Sequence, residues 1–361
     1  MEEKTKIKEF LCEIISLPGI SGYETPVTNA IAKAWEPFVD EVKVSKIGNL
    51  YGIKRGSPSK DGKPNKRLML AVHMDGIGMV IAKISGELLY FAPIGGFDPR
   101  ILPGQFVNIH SQKGDFPGII VQLAPNLLSE SYEGKPVPLD QLVIDTGLEE
   151  KMVKETFRVG DIISYANLPQ ELPTDCIAGH SLDNRASVAA VTQCLTELQH
   201  MRHSWDVFAV GTTQEETAFL GGATSPFDIL PDLAIVIDVT FAKGPGADGW
   251  RTVALESGVS IGYGANLHPM LFAEIKQLCE QLDIPYTLSP QPLMSGTDAD
   301  PIQITGAGVP TILLSIPLRY MHTPVEIISI KDVMRTGHLM AEFIARLSPD
   351  FIEKIVWEDE Q

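Results

Sequence analysis

The chain has 361 residues, 44% hydrophobic and 21% charged, which is long enough for two domains and too apolar for a disordered polymer. Its 46 acidic against 29 basic side chains leave a formal charge of −17, arguing against nucleic-acid binding and against an anionic membrane surface. The N-terminal stretch reads as lacking a secretory leader, no apolar run approaches the roughly 18 residues of a membrane span, and Cys12, Cys176, Cys194 and Cys279 are scattered with no Cys-x-x-Cys pair. Free thiols and a cytoplasmic location are therefore expected.

Taken in order, periodicity predicts a helix from Thr5 to Ser16, stopped by Leu17-Pro18-Gly19, and a second from Thr25 to Trp35 with Pro26 in its first turn. Two short strands, Glu41 to Ser45 and Leu50 to Lys54, flank a Gly48-Asn49 turn, and Leu68 to Val72 is the first strongly apolar strand. From Ile77 to about Ala166 the texture changes to short β-type runs broken by Gly and Pro, without a helical stretch of three turns. A small β-rich unit, residues 77–166, is thus expected as an insertion in an α/β chain made of 1–76 and 167–361, with a loop over Ser129 to Asp140 that is a candidate for disorder. Beyond Asp183 the α/β rhythm resumes: helix Ala186 to Met201, strands Val207 to Gly211 and Leu233 to Ile237, helix Pro269 to Leu282, strand Thr311 to Ile316 and a closing helix Lys331 to Leu347.

Metal-capable side chains recur beside the strand ends: His73, Asp183, Glu215-Glu216, Asp238 and His322. In an open α/β sheet, ligands gather beyond the carboxyl ends of strands. Imidazoles and carboxylates without thiolates suit a catalytic zinc, cobalt or manganese site rather than a structural one. Each residue also has an ordinary reading: Asp183 as the cap of the following helix, Glu215-Glu216 as a solvated charge pair, His73 as structural. Read on an extended segment, Glu215 and Glu216 point to opposite sides, which allots them different tasks. Asp75, two residues after His73, is placed to orient its imidazole. A glycosidase pair is disfavoured, because adjacent acids do not flank a sugar bond at about 5–9.5 Å.

Val72-His73-Met74-Asp75, Leu182-Asp183-Asn184-Arg185, Gln214-Glu215-Glu216, Ile237-Asp238-Val239-Thr240, Gly296-Thr297-Asp298-Ala299 and Arg319-Tyr320-Met321-His322-Thr323-Pro324 occur in this order. As an ordered set they resemble the tetrahedral-assembly (TET) metallo-aminopeptidases, which include glutamyl aminopeptidases and some proteins labelled endoglucanase M. Pro93-Ile94-Gly95-Gly96, Asp98-Pro99-Arg100 and Leu102-Pro103-Gly104-Gln105 extend the likeness into the insertion. The resemblance implies a zinc-aminopeptidase-like mixed sheet sandwiched by helices, a PDZ-like apical and dimerisation domain, and a dodecamer built from dimers. It also implies two divalent metal ions per subunit, zinc first and cobalt or manganese next. His73, Asp183 and Asp238 would hold one, and Asp183, Glu216 and His322 the other. Glu215 would be the general base and Asp75 the partner of His73, in the hydrolysis of N-terminal residues from short peptides. The alternative is an inactive metal-bearing scaffold whose β-rich insertion binds peptides or partners.

Gly76 departs from the family pattern, in which His-Met-Asp is commonly followed by Glu, and this bears on the charge and flexibility of the cleft. Two further histidines have bland readings, His268 at a surface or helix start and His180 three residues before Asp183.

Overall fold

The computed structural model describes residues 2–59, 62–122 and 135–357. Helices α1 (Glu2–Ile15) and α2 (Thr25–Trp35) precede strands β1 (Glu41–Val44), β2 (Leu50–Lys54) and β3 (Arg67–His73). A run of short strands follows, β4 (Gly78–Ser85), β5 (Leu88–Ile94), β6 (Phe106–Ser111), β7 (Gly114–Val121) and β8 (Val143–Asp145), ending in α3 (Glu150–Thr156) and β9 (Ile162–Tyr165). After β10 (Gln170–Leu172) and β11 (Cys176–Gly179) come α4 (Leu182–Glu197), β12 (Asp206–Thr212), α5 (Glu215–Ala218), α6 (Leu220–Ile229) and β13 (Leu233–Phe241). The remainder holds β14 (Val259–Gly264), α7 (Pro269–Gln281), β15 (Tyr286–Gln291), α8 (Ala299–Gln303), β16 (Thr311–Arg319), β17 (Glu326–Ser329), α9 (Ile330–Arg346) and α10 (Phe351–Lys354).

The large sheet is mixed, as expected for this α/β chain. Its order is β1-β2-β12-β3-β13-β16-β17-β11-β10, with β14 joining β16 and β15 joining β14. The central strands β12, β3, β13 and β16 are mutually parallel, and antiparallel strands cover both flanks. Alternation along β3 explains why both faces are covered. Leu68, Leu70 and Val72 enter one core with α1, α2, α4, α7 and α9, whereas Met69 and Ala71 enter another with Ile229 of α6 and Ile302 of α8. From β3 the chain passes to β12 on one side and then to β13 on the other, so the direction of winding reverses at β3. Such a reversal opens a crevice at the carboxyl ends of the strands.

The second unit is a closed barrel, β4-β5-β8-β7-β6-β9, antiparallel throughout. It has its own core, including Met79, Ile81, Leu89, Ile109 and Ile163. Closure removes the exposed edges that a small sheet otherwise presents. Of the loop expected over Ser129 to Asp140 as a candidate for disorder, 129–134 lie outside the described residues, and Leu139–Gln141 forms a short 3₁₀ turn.

Most predicted elements occupy their expected places, but β13 and β16 run past Ile237 and Ile316, to Phe241 and Arg319. Asp238 therefore lies within β13, not just beyond it. The α6, β14, β15, α8 and β17 segments were not anticipated. Their residues are Gly- and Pro-punctuated or half-polar, and tertiary pairing rather than local pattern makes them regular.

Arg185 pins the two halves of the α/β unit together. It is fully buried and donates to the carbonyls of Ile14, Leu17, Gly19 and Met74. Replacing it by Met keeps the volume but strands these acceptors, each costing about 1–3 kcal/mol when buried and unpaired. Arg185→Met is expected to lower unfolding free energy by at least ~3 kcal/mol, read from the denaturant midpoint; a midpoint within error of the parent contradicts this role.

Candidate metal centre

The carboxyl ends of the four parallel strands deliver the predicted residues to one recess. His73 ends β3, Glu215 and Glu216 follow β12, Asp238 sits near the end of β13, and His322 follows β16. Asp183 arrives from the start of α4, where its torsions (φ −78°, ψ 101°) and those of Asn184 are non-helical. Asn184 Nδ2 donates to Ile237 O at 2.8 Å and Ser187 Oγ to Asp238 O at 3.2 Å, tying this start to β13. The cap reading of Asp183 does not hold, since no side-chain cap forms at α4 and the carboxylate faces two imidazoles. His73 Nε2 lies 3.1 Å from Asp183 Oδ1, and His322 Nε2 lies 3.4 Å from Asp183 Oδ2.

The remaining groups close around this bridge. His322 Nε2 is 3.4 Å from Glu216 Oε2, and His73 Nε2 is 3.8 Å from both Glu215 Oε2 and Asp238 Oδ1. Donor atoms of His73, Glu215 and Asp238 lie within 4.8 Å of one another, as do those of His73, Asp183 and Glu216. These sets differ from the expected grouping in placing Glu215, not Asp183, with His73 and Asp238, and His73, not His322, with Asp183 and Glu216. The pair Glu215-Glu216 is not extended, either. It opens the short helix α5 after Gln214 in the left-handed region (φ 55°), so alternation does not separate the two side chains. Ser181 (φ 56°), Gln214 and His322 (φ 59°) all carry positive φ, a conformation costly for residues with a side chain and concentrated at functional sites.

Two buried acids orient the ligand residues through the main chain. Asp75 accepts from Glu215 N (3.0 Å) and Glu216 N (3.1 Å). His73 Nδ1 is nearer the main-chain O of Asp75, at 3.1 Å, than its carboxylate, at 3.6 Å. Glu326, which sequence reasoning did not single out, does the equivalent work opposite: it accepts from Asp183 N at 3.1 Å and from His322 N at 2.9 Å. A glutamate four residues past His322 at the start of a short strand carries no local signal for this. Asp298, from a motif that sequence reasoning left without a role, is buried behind the site and accepts from Thr212 Oγ1. Gly222 makes room for it, because a Cβ there would meet Asp298 Oδ1 at 2.2 Å.

Gly76 is not a flexible point. Its N–H donates to Gly19 O at 3.0 Å, its carbonyl accepts from Ser21 N at 3.1 Å, and an added Cβ would sit 2.7 Å from Ser181 Oγ. His268 is buried, against the expected surface position, but it does precede α7, edge-on to Trp357. Both it and His180 lie outside the recess lining.

The electrostatics follow from burying many acids together. Burial, with Asp238 and Asp298 adding to it against the pull of His73, pushes Glu215 up to about 10. Burial and the neighbouring Asp183 push Glu216 up to about 8, and burial raises Asp238 to about 7. Burial opposes ionisation of Asp183 too, but its hydrogen bonds with His322 and His73 outweigh it and hold the carboxyl well below the usual range. The bond to Asp183 raises His322 to about 9. A recess crowded with His and carboxylate donors that resist shared ionisation fits divalent cations, which favour the deprotonated form of every donor.

This recess belongs to a cavity of about 600 Å³ that runs past the ligand cluster to Phe241, Trp250 and Leu288–Met294. The model of the M42 glutamyl aminopeptidase family matches residues 48–339. A lysyl aminopeptidase from Pyrococcus furiosus is 33% identical over 346 residues, covering 94% of this chain and 97% of its own. A TET aminopeptidase from a marine-sediment archaeon of the Thaumarchaeota superposes with a TM-score of 0.90 at 28% identity, over 97% of this chain and 98% of its own. The TET1 peptidase of Pyrococcus horikoshii, described as assembling into a tetrahedron or a large octahedral shell, gives 0.81 at 28% identity over 94% and 100%.

Two outcomes are expected. Glu326→Ala frees the main chain under Asp183 and His322, and affinity for zinc, read by competition with a chromophoric chelator, should fall about 10–100-fold; unchanged affinity contradicts the clamp. His180, pulled down to about 3 by burial and by nearby Arg185, stays neutral where the unfolded chain takes up a proton. Its share of stability is therefore present above about pH 6.5 and is lost as pH falls from there toward 3, at roughly 1.4 kcal/mol per unit. His180→Asn should flatten the fall in denaturation midpoint over that window relative to the parent.

Proposed function

We propose, from the premise that the chain belongs to the M42 glutamyl aminopeptidase family and is a peptide hydrolase, that it is a dinuclear-metal aminopeptidase removing N-terminal residues from short peptides. The observation that carries this reading is the convergence of His73, Asp183, Glu215, Glu216, Asp238 and His322 in one cavity at the carboxyl ends of four parallel strands. His73, Asp183 and Asp238 would hold one metal ion, and Asp183, Glu216 and His322 would hold the second. Zinc is the first choice, and cobalt or manganese suit the same donors. Two such ions supply Lewis acidity and bring a water's pKa toward neutrality.

Within this reading the chain's own groups do the rest. Glu215, raised to about 10 by burial, would be drawn toward its ionised form by neighbouring positive charge. It accepts the proton of the attacking water and delivers it to the leaving amine nitrogen, work worth about 10²–10⁴-fold in rate. The acidic recess suits the protonated amino terminus of a peptide. Asp75 and Glu326 keep the ligand residues in register and do not touch substrate.

Residues 77–166, barrel included, are proposed as the apical, PDZ-like unit through which copies meet, with 1–76 and 167–361 as the catalytic unit; a dodecamer of dimers would follow the TET likeness. Among the described residues no helix is long and apolar enough to cross a membrane. The free thiols of all four cysteines accord with a reducing cytoplasm.

Glu215→Gln should retain both metal ions while turnover of aminoacyl chromogenic substrates drops by at least ~100-fold. Chelation should abolish the parent's activity, and zinc or cobalt should restore it. Near-parental turnover in Glu215→Gln removes the base assignment; no peptidase activity at any metal loading favours the scaffold alternative.

A further inference from the structure

The cavity extends beyond the ligand cluster onto a wall to which the proposed reaction assigns no use. Phe241 at the end of β13, Trp250 in the loop after it, Leu288 of β15, and Leu293 and Met294 beyond β15 line it. These side chains are 57%, 71%, 44%, 78% and 73% exposed, respectively. Single exposed apolar residues need no account, but five gathered on one side of a polar recess mark a surface made to be covered. A volume of about 600 Å³ has room for a large side chain and the adjoining peptide.

The charges of the lining divide sharply. Its acids, Asp183, Glu215, Glu216 and Asp238, all belong to the ligand cluster, and its one Arg or Lys is Arg251. Arg251 is exposed and stacks on Trp250, its guanidinium carbon 4.9 Å from the ring centroid.

We infer that this wall receives the side chain of the substrate's first residue and selects large apolar ones, leucine, methionine or phenylalanine, over lysine and glutamate. The inference rests on the aminopeptidase reading. A lysine ammonium on the wall meets no carboxylate beyond the cluster, whose acids are committed to cations. A glutamate meets Arg251 alone, in an exposed setting where an ion pair contributes little. An apolar side chain covers Leu288, Leu293 and Trp250, and the unbranched thioether of Met294 adapts to its shape. The chain thereby departs from the lysyl preference for which its Pyrococcus furiosus relative is named.

The test is binding of Leu-Ala, Met-Ala, Phe-Ala, Lys-Ala and Glu-Ala to metal-loaded Glu215→Gln protein by calorimetry, which needs no turnover. The apolar dipeptides should bind at least ~10-fold more tightly than Lys-Ala and Glu-Ala, the scale expected for apolar side-chain discrimination. Equal binding, or tighter binding of either charged peptide, overturns the inference. The expected order combined with no hydrolysis by the parent protein would support the pocket and remove the aminopeptidase reading alone. Introducing Met294→Glu alongside Glu215→Gln should shift the Leu-Ala to Lys-Ala affinity ratio at least ~10-fold toward lysine, with the mass by light scattering unchanged. An unchanged ratio with a smaller assembly would overturn the pocket, by showing that a second copy covers this wall.

Discussion

The structure depends on how it distributes main-chain donors among too many buried acids. A buried carboxylate that accepts two N–H bonds has its oxygens satisfied, whereas one facing only acidic neighbours does not. Here the N–H groups of Glu215 and Glu216 go to Asp75, and those of Asp183 and His322 go to Glu326. The ligand residues thus give their donors away and turn their own oxygens and ring nitrogens toward the recess. The result is a backbone held rigidly by two acids and a set of side chains short of positive charge. That shortage is what the proposed divalent cations would relieve.

The winding reversal at β3 makes this arrangement possible. Parallel neighbours β12 and β13 run in register on either side of β3, Thr212 opposite His73 and Val236 opposite Ala71, so residues far apart in sequence arrive within a few ångströms. The helical layers and the antiparallel flank contribute too: Asp183 comes from the start of α4, and Glu326 of β17 accepts from the N–H groups of Asp183 and His322. Arg185 of α4 ties the N-terminal segment and the end of β3 to this layer through the carbonyls of Ile14, Leu17, Gly19 and Met74.

How much of this was legible in the sequence depended on the kind of signal. Apolar runs ending in His73 or followed by Glu215 announced both strand and site, because a strand's inner residues are set by burial and its end by a change in polarity. α2 and β2 fell on their predicted bounds for the same reason, helped by Pro26 and by Gly48-Asn49. The order of motifs then made the family resemblance specific. Glu326 was invisible because its task is to accept two main-chain bonds, which leaves no spacing rule behind. The left-handed Gln214 and His322 were equally hidden, since neither is a glycine and tertiary contacts impose their torsions. Glu215 and Glu216 were assigned to an extended segment, a local inference that the short helix α5 overrides. The barrel's closure, too, is a matter of pairing among short runs whose composition only says β.

The separation of the ligand residues along the chain has a consequence for synthesis. His73 is made early and His322 close to the end, and the residues between them belong to every layer of the α/β unit. No N-terminal fragment shorter than about nine-tenths of the chain contains all six, because His322 is the last of them in a chain of 361 residues. A copy truncated before β16 (Thr311–Arg319) therefore lacks His322 and with it one of the groups of the candidate site. The candidate centre is complete only when β16 is paired with β13, since that register brings His322 within reach of Asp183.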